Sequence, residues 1–75
     1  MNIRIFRLYG MNSYDVLFRR ADDIDYFTEK LDELGIIKDE DYKWNLYEES
    51  APDIQFLNPT AQAQFELYFS EHIED

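Results

Sequence analysis

Between Asp22 and Gly35 the apolar side chains fall at Ile24, Phe27, Leu31 and Leu34, the i, i+3, i+7 and i+10 spacing of one helical stripe. No other stretch constrains its own conformation so narrowly. Either Asp22 or Asp23 can accept hydrogen bonds from the free amides of a first turn, and their charges suit the positive end of the helix dipole. Gly35 fits the left-handed position just past the last turn, from which Ile36 can fold back on Leu31. The stripe must then be buried against another layer.

The flanking segments supply that layer. Asn2 to Tyr9 and Tyr14 to Arg20 are rich in β-branched and aromatic residues, and Gly10-Met11-Asn12-Ser13 between them predicts a hairpin with a four-residue connection. With Tyr9 opposite Tyr14, one face carries Ile3, Ile5, Tyr9, Tyr14, Val16 and Phe18, the better core. The other carries Phe6, Leu8 and Leu17 beside Arg4, Arg19 and Asp15. Tyr42 to Glu48 alternates as a strand, Glu49 to Asp53 forms a turn with Pro52, and Ile54 to Leu57 is a short strand.

Past Asn58 two patterns compete. Asn58-Pro59 starts a helix, and Ala61, Phe65, Tyr68, Phe69 and His72 share one helical face. Ala61, Ala63, Phe65, Leu67 and Phe69 also alternate as a strand does. Alanine, glutamine and glutamate favour a short helix over Pro59 to Glu66, with Leu67 to Ser70 either continuing it or becoming an edge strand. The expected fold is one α+β domain over residues 1–75. It has two layers: an antiparallel sheet of about four strands packed on one main helix, with a short C-terminal helix or edge strand.

At 75 residues there is room for a single core. Apolar residues make up 45% of the chain and aromatics 17%, too many for a disordered acidic tail. The absence of cysteine excludes disulfides, thiolate metal sites and thiol catalysis. Val16-Leu17-Phe18 and Leu67-Tyr68-Phe69 are too short for a membrane span or a signal peptide, so a soluble cytoplasmic protein is expected.

Catalytic chemistry finds little to work with. The single histidine, His72, sits among Glu71, Glu74 and Asp75, which imitate a metal cluster without a partner to orient them. Asp39-Glu40-Asp41 opens like a calcium loop, but Lys43 and Trp44 stand where an oxygen ligand and a glycine are required. Gly10 and Gly35 make no phosphate cradle, and Ser13, Ser50 and Ser70 have no histidine near them in sequence. No metal, no cofactor and no enzymatic activity are expected.

Charge carries more information. Residues 1–20 hold four arginines and Asp15, a net of +3, whereas residues 21–75 hold sixteen acids and three lysines, a net of −13. This argues against direct binding to nucleic acid or an anionic membrane and favours a basic protein partner. On the expected helix, Asp25, Glu29, Asp32 and Glu33 project away from the apolar stripe, with Asp22 at its start. Asp25 and Glu29 are separated by about 6 Å of rise, roughly half the linear charge density of one DNA strand. Asp39, Glu40, Asp41, Glu48, Glu49 and Asp53 add a second cluster. These acids either form a surface shaped for a basic, nucleic-acid-binding groove, or serve only to solubilise or to suit a salty interior.

Tyr26 lies off the stripe inside this acidic field, as an anchor for a partner or as a ring laid over the helix edge. Phe6, Leu8 and Leu17 beside Arg4 and Arg19 have the composition of an interface. Opposed arginines on neighbouring strands call for acids nearby, from the C-terminal residues of the same chain or from a second copy in a symmetric dimer. A structural or regulatory subunit assembling through that face is the alternative to the acidic binder.

In size, net charge, lack of cysteine and the acidic run from Asp22 to Asp53, the chain resembles small acidic inhibitor proteins of phages and mobile elements, of the anti-CRISPR, anti-restriction and DNA-mimic types. The resemblance is one of type and transfers no functional residue. It implies a non-catalytic inhibitor that occupies a nucleic-acid or regulatory surface of a host enzyme.

Overall fold

The computed structural model describes residues 3–8 and 12–74. These form strands β1 (Ile3–Arg7) and β2 (Ser13–Phe18), helix α1 (Ala21–Glu33), strands β3 (Tyr42–Asn45) and β4 (Asp53–Phe56), helix α2 (Pro59–Tyr68), a 3₁₀ turn (Ser70–His72) and strand β5 (Ile73–Glu74). The strands make one sheet in the order β3-β4-β2-β1-β5. The class is α+β, as expected, but the sheet has five strands and is mixed. Neighbours run antiparallel except β5, which lies parallel to β1 with Ile5 opposite Ile73. That pairing joins two segments at opposite ends of the sequence, and β5 is too short to show alternation.

The hairpin register places Arg7 opposite Tyr14 and Ile5 opposite Val16, two residues away from the expected pairing. Because strand side chains alternate with period two, an even slip leaves each face intact. Ile3, Ile5, Tyr14 and Val16 are accordingly buried, with Phe18 packed against them. Tyr9, Gly10 and Met11 lie outside the described residues.

Helix α1 crosses from β2 to β3, and α2 crosses from β4 to β5, both over the same face of the sheet. Phe27 holds the two together. Its ring lies 5.6 Å from Phe18, 5.8 Å from Trp44, 6.1 Å from Phe65 and 5.0 Å from Phe69. Leu31 is also fully buried, whereas Ile24 is 43% exposed, so the stripe narrows to its middle, where α2 covers it. Neither aspartate caps α1. The N-cap position belongs to Arg20, whose side chain makes no capping bond. The other end follows expectation: Gly35 has φ +78°, its amide donates to Asp32 O at 3.0 Å, and the Ile36 amide donates to Leu31 O at 2.9 Å. These two bonds form a Schellman motif.

The competition past Asn58 resolves as helix through Tyr68. The Asn58 side chain accepts from the Thr60 amide at 2.9 Å and Pro59 fills the first turn, where its missing amide hydrogen costs nothing. Ala61, Phe65 and Phe69 are buried at helical spacing, whereas Leu67, which the strand pattern would bury, is 82% exposed. Strand β3 ends at Asn45 rather than Glu48. No helix of the described residues is long and apolar enough to cross a membrane.

Candidate protein-docking surface

Helix α1 turns its inner stripe to the sheet, so Asp22, Asp25, Glu29, Asp32 and Glu33 stand exposed on the opposite side. Among the described residues the ion pairs are Arg4–Glu74, Arg7–Glu66 and Lys30–Glu33. Asp22, Asp25, Glu29 and Asp32 therefore form no ion pair among these residues, with Lys38 lining the same surface hollow as Glu29 and Asp32. Past the helix Asp39 is exposed, and the hydroxyl of Tyr42 is held above its ordinary pKa by burial first and then by the charges of Asp32 and Asp39. Glu40, Glu48 and Glu49 are exposed as well.

Two acids of the second cluster have internal work. Asp41 Oδ2 accepts from the Ile37 amide at 2.8 Å and Oδ1 accepts from Asn58 Nδ2 at 3.0 Å. These bonds, the backbone one first, lower its pKa and tie the loop to the start of α2. Asp53 is only 4% exposed and its Oδ2 accepts from Asn45 Nδ2 at 2.9 Å. It faces Asp15 across β2 and β4, and the Asp15 carboxyl is raised by burial and then by that neighbouring charge. Asp53 is therefore outside the exposed surface.

Tyr26 is 46% exposed, with the Lys30 ammonium 5.3 Å from its ring centroid. Lys30 Nζ also donates to Glu33 Oε2 at 3.2 Å. Beside them lies Tyr68, 50% exposed on α2. Sequence periodicity assigned Tyr68 to the apolar face; its place one step off the Ala61, Phe65 and Phe69 row was the available signal. Asp23, on the same side of α1 as Tyr26 and Lys30, leaves Oδ2 buried without a hydrogen-bond partner among the described residues.

On the sheet face away from the helices, Arg4 meets Glu74 of its own chain. Its Nε and Nη2 donate to the two carboxylate oxygens of Glu74 at 2.7 and 3.1 Å, and its guanidinium lies 5.1 Å over the Phe6 ring. Leu17 is 40% exposed, Leu8 is half-buried and Arg19 is exposed. Glu74 is thus engaged away from His72, and Asp75 lies outside the described residues. No protein-family model matches this chain, and comparisons with curated proteins and with solved structures find no match.

Proposed function

We propose that this chain is a small non-catalytic binding protein that docks the acidic side of α1 on a basic, nucleic-acid-binding site of a partner protein and inhibits or regulates it. This is the mode of action of the small acidic phage inhibitors it resembles. The observation that carries the reading is the row Asp22, Asp25, Glu29 and Asp32, exposed on one side of a helix and making no ion pair among the described residues. Like charges at i and i+4, such as Asp25 with Glu29, weaken a helix by a few tenths of a kcal/mol each. A fold that keeps them gives up stability on that side, which a basic partner would restore. Attraction between opposite fields speeds association and makes affinity fall with salt.

The test is capture from nuclease-treated host lysate on the immobilised chain, developed with a salt gradient. A nucleic-acid-handling protein should elute at moderate salt and should not be captured when Asp25, Glu29, Asp32 and Glu33 are all changed to lysine, with the circular dichroism spectrum unaltered. Equal capture by the reversed variant would overturn the reading. The register sets Arg4 opposite Leu17 rather than Arg19, and Glu74 of the same chain pairs with Arg4, which supports the acidic binder over assembly through the hairpin face, where Arg19 is exposed.

A further inference from the structure

Between α1 and the end of α2 runs a shallow groove lined by Tyr26, Lys30, Tyr68, Phe69, Glu71 and His72. A positive charge is already seated in it. The Lys30 ammonium sits over the Tyr26 ring and bonds Glu33, in a groove whose other wall carries Tyr68. Ring faces and carboxylates together favour a cation there. The acid in this lining, Glu71, is exposed and has no ion-pair partner among the described residues, whereas Glu33, which holds Lys30, stands outside the lining. Lysine is a poor fit for a groove lined by two tyrosines, since its compact ammonium is strongly hydrated, whereas a guanidinium is planar, weakly hydrated and can stack while it bonds carboxylates.

We propose that this groove receives an arginine side chain of the basic partner, stacked on Tyr26 and Tyr68 and paired with Glu33 and Glu71, with Lys30 as the internal placeholder it displaces. The assignment rests on the docking reading above and names the residue type that the partner must present. The groove adjoins the acidic side of α1, Glu29 and Glu33 being one helical turn apart, so the arginine would anchor a contact whose remainder is electrostatic.

Fluorescein-labelled octa-arginine and octa-lysine, titrated by anisotropy against the full chain at about 50 mM salt, separate the two ideas. The unaltered chain should prefer octa-arginine by about five- to tenfold. Tyr26→Ala with Tyr68→Ala should erase that preference and leave octa-lysine binding unchanged. Lys30→Met should raise octa-arginine affinity more than Lys43→Met, which removes the same charge from the far face of the sheet. A preference that is absent at the start, or that survives loss of both tyrosines, overturns the arginine groove. Equal effects of the two lysine changes do the same. In those cases salt-sensitive binding of both peptides leaves the acidic docking surface standing. Failure of both peptides to bind at low salt removes the docking surface too.

Discussion

Replacing Tyr14 with phenylalanine should remove one hydrogen-bonded hydroxyl and nothing else. The ring stays 4.9 Å from Phe65 and 5.8 Å from Phe56, so no cavity opens. What is lost is a donor to Glu66 Oε2 and an acceptor for Gln62 Nε2 at 2.9 Å. Glu66 keeps Arg7, whose Nη2 lies 2.5 Å from Oε1, so the carboxylate is not orphaned. Gln62 is only half-buried and can turn to water. A hydrogen bond to a charged group contributes about 1.5–3 kcal/mol, and these remaining partners put the cost near the lower end, about 1.5–2 kcal/mol. For a domain of this size that lowers Tm by roughly 6–16 °C. Urea titration at pH 7 measures it directly. A change below about 0.5 kcal/mol would refute the reasoning, because it would mean the hydroxyl gains nothing over its bonds to water.

The same variant has a pH signature. Burial first, then the bond to Glu66, pushes the Tyr14 hydroxyl up to about 12. A group raised above its unfolded value stabilises the fold fully below that value and loses its contribution as pH rises through the folded one. The unaltered chain should therefore lose part of its stability between about pH 10 and 12, and Tyr14→Phe should lose less. At the acid end, Glu66 is lowered by Arg7 first and Tyr14 second. Its contribution is present above the unfolded carboxyl pKa and fades as pH falls through the lowered one.

Three further outcomes follow from the helix termini and the acidic ridge. Arg20→Ser supplies the missing N-cap acceptor of α1 at a residue already extended, with φ −135°, and should stabilise the fold by about 0.5–2 kcal/mol in chemical denaturation. Gly35→Ala forces a side chain into φ +78°, where nothing lies within 4 Å of the added carbon; backbone strain alone should cost about 1–2 kcal/mol by the same assay. Glu29→Lys should raise stability by a few tenths of a kcal/mol through relief of its like-charged neighbours, while it weakens partner capture, so Tm and affinity should move in opposite directions.

Helix α1 was legible because its signals are local: the stripe, the glycine and the residue after it all lie within fifteen positions. The hairpin faces were legible for a different reason, since alternation assigns faces without needing the register. The register itself depends on the turn, and Gly10-Met11-Asn12-Ser13 singles out no turn geometry. Strand β5 was beyond reach because two residues carry no period and their partner is β1, about 70 positions away. Acids presented the hardest case. Asp25 and Asp53 look alike in sequence, yet one faces solvent and the other is closed in by Asn45. What distinguishes them is tertiary, as is the Asn58 contact that makes Asp41 a structural tie.

The packing around Phe27 has an optical consequence. Trp44 is the chain's only tryptophan, and its ring lies 5.8 Å from that of Phe27 and 6.2 Å from that of Phe18. Phe27 belongs to the helix whose outer side carries the acidic row. Any partner that tilts or slides α1 changes the surroundings of one indole and of no other. The emission of the unlabelled chain is thus a built-in strain gauge for α1. A shift in its wavelength on binding would report movement of the helix, and an unchanged spectrum would show that the partner takes the surface as it stands.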